Sequence, residues 1–270
     1  MLTKLQGFVA ACAALLVAGI FLPITGVAAN TVYLNNGRSV AFKLIVWDDA
    51  AKEYKLQPAE GGAAVVPVAL KDIDRIDVER PSDLAKAQQS INDGHPELAL
   101  PVLQNIASRY KMLVWDNRAR ELMAKIYVQK KDGKMAVTVL NELFANPSPK
   151  GITFAARLLY WDAQALTGDN AALRKDLDDA IATGPREVAA AAQVKRGDML
   201  RAEGVKEEAL LDYVRTILFF EDAKDARAEA LYKAAELFEE KQDPQAAELR
   251  KVLVQDYPEN EFAKKLAGKL

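Results

Sequence analysis

The sequence predicts a mostly α-helical protein in which helical hairpins repeat along the chain, after a leader and a small β-rich region. Three observations carry this prediction. The first 29 residues hold a single charge, short β-branched runs fill residues 31–79, and one helical pattern then recurs every 36 or 37 residues. Such a period is typical of a helical repeat, because one hairpin cannot bury its own apolar face.

Residues 1–29 are predicted to be a secretory signal peptide. Lys4 precedes an apolar run over residues 8–22, and after Pro23 the small-residue segment GVAA ends at Ala29. A positive start, an apolar centre and a small-residue end are the three parts of a cleavable signal. The prediction is therefore export to the periplasm. The alternative is an uncleaved anchor that faces the periplasm, since the apolar stretch is nearly long enough to span a bilayer. Membrane contact is expected only in that case.

Residues 30–80 are predicted to form a small five-stranded β-barrel. Five short runs of β-branched and aromatic residues alternate with turn-forming segments such as NNG, DDAA and GG. Asn36 and Gly37 give the clearest turn, because glycine accepts the positive φ that a tight hairpin needs. Closure of such short strands into a barrel removes their exposed edges.

The first hairpin carries a family resemblance. The pattern VYLNNGRSV, then KLIVWDD and YKL, is similar to the first motif of Sm-like and SH3-like barrels, with Leu34, Gly37 and Asp48 or Asp49 in the matching places. The segment DIDRIDV lacks the second motif, with which Sm-like proteins contact RNA. The resemblance implies a barrel fold, and no nucleic-acid partner is expected.

Residues 81–270 are predicted to be a domain of five helical hairpins and a closing helix. The pattern recurs 37, 37, 36 and 37 residues apart, at Ala99, Ala136, Leu173 (or Ala172), Ala209 and Ala246. Four residues later stand Leu103, Leu140, Leu177 and Tyr213. The first helices of the hairpins are predicted over residues 82–92, 112–130, 152–167, 187–203 and 224–241.

This pattern resembles the tetratricopeptide repeat, which alternates small and bulky positions and places an alanine early in its second helix. The fourth copy matches best, at Gly197, Leu200, Gly204, Ala209 and Tyr213. The period is longer than the family's usual ~34 residues, and Trp161 stands where the family prefers a small residue. The resemblance covers residues 82–270 and implies a right-handed α-solenoid. Its concave groove, lined by the first helix of each hairpin, would hold an extended peptide or a partner helix.

No catalytic or metal-binding pattern is evident. His95 is the only histidine, and Cys12 in the leader is the only cysteine. A zinc site needs several nitrogen or sulfur ligands, and the carboxylate runs lack the spacing of a calcium loop. GxSxG, GxGxxG and phosphate-loop patterns do not occur. The sequence therefore predicts a protein that is not an enzyme and that has no cofactor and no bound metal.

The predicted function is an exported scaffold that binds a protein or peptide partner through the solenoid surface. The formal net charge of -2 selects no partner. The ending DYPEN resembles that of cell-envelope repeat proteins, which implies a role in envelope assembly. The alternative is a membrane-anchored structural component of an envelope complex. Trp115, Trp161 and residues 217–220 are expected in the core. By repeat phase, the predicted groove residues are Arg118, Lys125, Asp162, Asp198, Arg201 and Tyr232.

Overall fold

A computed structural model describes residues 30–61, 64–145 and 152–267. Within these ranges a five-stranded antiparallel sheet is followed by eleven α-helices, so the protein is mostly helical. The last strand ends at Asp77 and the first helix begins at Ser82, so strands give way to helices near residue 81. The predicted signal peptide, residues 1–29, lies outside the described residues. None of the helices in the described ranges has the length and apolarity that a bilayer crossing requires.

The five predicted strands are confirmed. They are β1 (Thr31–Leu34), β2 (Ser39–Asp48), β3 (Glu53–Pro58), β4 (Val66–Ala69) and β5 (Ile73–Asp77), with a short 3-10 turn at Leu70–Asp72. Hydrogen bonds join them in the order β4-β3-β2-β1-β5. Gly37 has a φ of 81° in the turn between β1 and β2, as expected. In the described part β4 and β5 do not pair with each other, so closure into a barrel stays a prediction.

The sheet buries one apolar core, to which β2 contributes most. Phe42, Ile45 and Trp47 point inward, whereas Leu44 and Val46 point to solvent. The pairing of β2 with β3 shifts register between residues 42 and 44, and this bulge sets which side chains face inward. Residues from the other strands complete the inner face.

The helices follow the predicted order. They are α1 (Ser82–Asn92), α2 (Pro96–Arg109), α3 (Val114–Gln129), α4 (Gly133–Ala145), α5 (Phe154–Ala165), α6 (Asn170–Thr183), α7 (Arg186–Ala202), α8 (Lys206–Phe219), α9 (Lys224–Glu240), α10 (Gln245–Asp256) and α11 (Glu261–Ala267). The predicted first helices match α1, α3, α5, α7 and α9, and the closing helix matches α11. Each helix packs against the next, and α3, α5, α7 and α9 also contact one another in series.

The repeated positions share one environment. The five first positions, from Ala99 to Ala246, are all buried, and the four bulky residues that follow them are fully buried. The helical core consists of two clusters that meet at α5, where Trp161 belongs to one cluster and Ala163 to the other. Trp161 is 2% exposed, which confirms its predicted place in the core. A bulky residue therefore occupies the third hairpin at a position where the family prefers a small one.

The segment over residues 217–220 only partly follows its prediction. Ile217 is buried, but Leu218 and Phe219 are 61% and 63% exposed, so the prediction of burial was wrong for these two. They lie in the last turn of α8, on the side opposite the buried face that carries Tyr213 and Ile217. Trp115 is half-buried, and its indole donates a hydrogen bond to the carbonyl of Val78 at 2.9 Å.

The turn between α2 and α3 closes the core of the sheet. Met112 and Leu113 are buried among the strand residues. The hydroxyl of the fully buried Tyr54 donates to the carbonyl of Met112 at 2.6 Å, and Lys111 forms an ion pair with Asp49 at 2.6 Å. The sheet and the helices therefore share a continuous apolar contact.

Asp116 holds this turn in place. Its carboxylate is buried and accepts hydrogen bonds from the backbone amides of Met112 and Asn117, both at 2.8 Å. The Arg120 guanidinium lies 3.0 Å away. Met112 has a φ of 61°, which a residue other than glycine rarely adopts, and the bond from its amide stabilises that conformation. Burial raises the pKa of Asp116 to about 6 and outweighs these bonds, which lower it.

The close contact between α7 and α8 gives a first prediction. A Cβ on Gly197 would lie 2.5 Å from Cε1 of Tyr213, whose ring is fully buried and cannot move aside. Gly197→Ala is expected to lower the free energy of unfolding by about 2 kcal/mol, although the same change in an open helix raises it by up to about 1 kcal/mol. Urea unfolding measures the effect. Adding Tyr213→Leu should restore part of the loss, and an unchanged single variant would contradict this packing.

The buried Asp116 gives a second prediction, on pH. Its pKa rises from 3.8 unfolded to about 6 folded, so the folded state binds the proton more tightly. The contribution of Asp116 to the free energy of unfolding is therefore greatest below about pH 4. It falls by about 3 kcal/mol as the pH rises past 6. Asp116→Asn removes this titration. The unfolding free energy of the wild type minus that of Asp116→Asn should decrease across this window. A difference that stays flat or increases would show that the folded pKa is not raised.

Candidate partner-binding surface

One concave surface of the described residues lies along α5, α7 and α9. A groove of about 410 Å³ opens between these helices and the turn that precedes α9. We call it the odd-helix groove. Its apolar floor consists of Phe154, Leu158, Ala191 and Ala226, together with Ala223. Phe154 is 41% exposed, which is unusual for a phenylalanine. The groove therefore presents apolar surface that a partner could cover.

The start of α5 positions Phe154 at this groove. Thr153 immediately precedes α5, and its hydroxyl accepts a hydrogen bond from the amide of Ala156 at 3.0 Å. The same hydroxyl donates to the carboxylate of Glu121 on α3 at 2.6 Å. Capping of this kind satisfies an amide that the helix cannot pair by itself. The first turn of α5 is thus anchored to the preceding hairpin.

The charged lining of the odd-helix groove is mostly acidic. The carboxylates are Asp162, Glu187, Asp222, Asp225 and Glu229, and the cations are Lys195 and Lys224. Three of the five carboxylates form ion pairs within the fold, namely Asp162 with Lys195, Asp222 with Arg186 and Glu229 with Lys233. Glu187 and Asp225 form no ion pair with a residue that the structure describes. Asp222 and Arg186 lie 2.6 Å apart, and the hydrogen bond from that guanidinium lowers the pKa of Asp222. The surface as a whole favours a cationic ligand.

Ion pairs connect the odd-numbered helices across the repeats. The pairs that join α5 to α7 and α7 to α9 are Asp162 with Lys195 at 2.5 Å, Asp198 with Lys233 at 2.6 Å, and Arg201 with Glu236 at 2.7 Å. Burial opposes the charge of Lys195, but Asp162 and further carboxylates outweigh it and raise the pKa of Lys195. The Asp162–Lys195 pair lies in the lining of the odd-helix groove, and all three pairs join successive first helices.

The predicted groove residues divide into three groups. Asp162 lines the odd-helix groove. Asp198 and Arg201 take part in the ion pairs between α7 and α9, and Asp198 also accepts a hydrogen bond from the Tyr213 hydroxyl at 2.8 Å. Their charges are thus already engaged within the fold.

The other three predicted residues lie elsewhere. Tyr232 lines a separate pocket of about 580 Å³ between α9, α10 and α11, where its ring lies 5.4 Å from that of Phe262. Arg118 and Lys125 lie on α3, and Arg118 pairs with Glu121 at 3.3 Å. Lys125 is exposed. The structure does not bring the six residues together into one site.

Several groove residues were not predicted from the sequence, among them Phe154, Glu187, Lys195 and Glu229. A signal for the ion pairs was present, because the partners lie 33 to 35 residues apart, close to the repeat period. Opposite charges at that spacing on successive first helices indicate contacts between neighbouring repeats. No comparable signal marks Phe154, since its exposure depends on how α5 packs.

Comparisons with known proteins return no match, whether with protein-family models, with curated proteins or with solved structures. The tetratricopeptide-repeat and Sm-like resemblances therefore stay predictions. Among the described residues no group of three or more His, Cys, Asp or Glu side chains is placed to hold a metal ion.

Proposed function

We propose that the protein is an exported, non-enzymatic interaction scaffold whose helical repeats bind a basic, extended segment of a protein partner. The observation that carries the proposal is the odd-helix groove, which combines an apolar floor with two carboxylates, Glu187 and Asp225, that form no ion pair with a described residue. Apolar contacts supply the affinity of such a site, and its charge selects and orients the ligand. A lysine-rich or arginine-rich peptide with interspersed apolar residues meets both requirements.

The helical domain is proposed to be a right-handed, tetratricopeptide-like solenoid. Support comes from the contacts of each helix with its neighbours in the chain and from the series α3, α5, α7 and α9. The equal burial of positions one repeat apart adds to it. In such an arrangement the first helices line one continuous face. The ion pairs between repeats preorganise that face, so that little ordering entropy opposes binding.

The groove's charge gives a third prediction, on a peptide of about ten residues that alternates lysine with leucine or alanine. The full chain should bind it in fluorescence anisotropy, and affinity should fall as salt screens the charges. A glutamate counterpart should bind much more weakly. Glu187→Gln with Asp225→Asn neutralises two carboxylates of the lining and should weaken binding by about fivefold to tenfold.

A matched control is available for these variants. Glu187 and Asp225 both stand in the first turn of a helix. Asp83 and Glu97 occupy first turns of α1 and α2, outside the groove. Asp83→Asn with Glu97→Gln should remove the same stabilising interaction between first-turn carboxylates and helix N-termini. It should leave the affinity for the lysine peptide unchanged. Equal binding of the lysine and glutamate peptides, or equal weakening by both pairs of variants, would refute a basic ligand for this groove.

The location of the scaffold is proposed to be the periplasm, with a role in cell-envelope assembly. The support is the leader, with Lys4, its apolar centre and its end at Ala29. A fourth prediction follows, that mass spectrometry of the protein from its native cells finds an N-terminus at Asn30. An intact Met1 would instead favour a membrane-anchored component of an envelope complex.

A further inference from the structure

The edge of β2 that faces away from β3 is open over the second half of the strand. β1 pairs with residues 39–41 of β2, and the amide of Phe42 then donates to the carbonyl of Asn30 at 3.0 Å. Asn30 has a φ of 69°, which ends the extended conformation of β1. From residue 43 to 48, no described strand pairs with this edge. As far as the described residues show, the backbone donors and acceptors of this edge are available to another strand.

A groove of about 660 Å³ runs beside this open edge. One wall is β2, with Leu44 and Val46 at 54% and 49% exposed. The opposite wall consists of residues 78–82, which connect β5 to α1, and residues 108–110 at the end of α2. Leu113 and Tyr110 supply further apolar surface. An extended chain placed in this groove would contact apolar side chains as well as the backbone of β2.

Three cations line the groove, and the structure gives none of them a carboxylate partner among the described residues. Lys43, Arg80 and Arg109 line it, all three are exposed, and none forms an ion pair with a residue that the structure describes. Glu79 is the one carboxylate in this lining, so two positive charges are in excess. In the odd-helix groove, by contrast, Lys195 pairs with Asp162. Arg109 also lies over the ring of Tyr110, 5.7 Å from its centroid, which leaves its positive charge unneutralised. Three cations without a carboxylate partner favour an anionic ligand.

We infer that this groove is a second binding site, which accepts an extended acidic peptide as an additional strand on the open edge of β2. Addition of a strand satisfies the backbone groups of the edge, and alternate side chains then point to the two sides of the added strand. Aspartate or glutamate on one side reaches Lys43, Arg80 and Arg109, and apolar residues on the other contact Leu44 and Val46. The site is independent of the odd-helix groove, which has the opposite charge.

The test uses the full chain and a labelled peptide of about eight residues, the length of an ordinary strand, that alternates glutamate with valine. Saturable binding is expected, with NMR shift changes at the amides of residues 43–46. A lysine–valine peptide should bind at least about tenfold more weakly. The glutamate–valine peptide methylated on alternate backbone nitrogens should also lose at least about tenfold, because it lacks the donors that face β2.

Charge variants locate the site. Lys43→Glu with Arg80→Glu should weaken the glutamate–valine peptide by about tenfold or more. Arg38→Glu with Lys71→Glu is the matched control, since both residues are exposed in the β-rich region and neither lines the groove. Circular dichroism of both variants verifies that the fold is intact.

Several results would overturn the inference. The first is absence of binding of the glutamate–valine peptide, and the second is binding of the methylated peptide as tight as that of the unmethylated one. The third is a loss of affinity in the control variant as large as that in Lys43→Glu with Arg80→Glu. The fourth is a set of shift changes in α5, α7 and α9 in place of β2. Pairing of β2 with a second copy of the chain, seen as a dimer in light scattering that excludes the peptide, would also overturn it. Shift changes in α5, α7 and α9 would also count against a basic ligand for the odd-helix groove. The other results leave the lysine–leucine experiment on that groove unaffected, so the two proposals can fail separately.

Discussion

The rest of the structure depends on the interlocking of small and bulky side chains where the two helices of a hairpin meet. In the fourth hairpin the ring of Tyr213 fills space that exists only because residue 197 has no side chain. In the first two hairpins alanine and leucine stand at the corresponding buried positions, Ala87 with Leu103 and Ala124 with Leu140. The third hairpin departs from this pattern, because Trp161 stands at the small position. Close approach of the helices puts these side chains in dense contact, and each hairpin exposes an apolar face that only its neighbour can bury.

The small β-rich region is joined to this helical series through its core. Met112 and Leu113 belong to the α2–α3 turn, yet they pack among the strand residues, and the Tyr54 hydroxyl bonds to the backbone of that turn. The turn itself needs a buried carboxylate, Asp116, to hold a backbone conformation that methionine rarely adopts. The sheet therefore has a fixed place beside the first hairpins, and with it the open edge of β2 acquires its second wall.

The surface charges are segregated, which the net charge of -2 conceals. One groove has an excess of carboxylates and the other an excess of cations, although the totals nearly cancel. A protein with two grooves of opposite sign is suited to hold two different segments, or two partners, at once. Ion pairs between successive helices contribute to the acidic groove mainly by fixing its shape, since pairs at partly exposed positions add little stability.

The sequence by itself determined the order and limits of the helices and strands, because those depend on local periodicity and turn chemistry. Gly37, the strand runs and the recurring alanines each carried that information. Only the tertiary structure decided which charged side chains remain free of ion pairs and can contact a ligand. From their place in the repeat, Asp198 and Arg201 are predicted to line the groove. In the structure they form ion pairs with Lys233 and Glu236 of the next repeat. The Lys43, Arg80 and Arg109 cluster joins residues far apart in the chain, so no local pattern could reveal it.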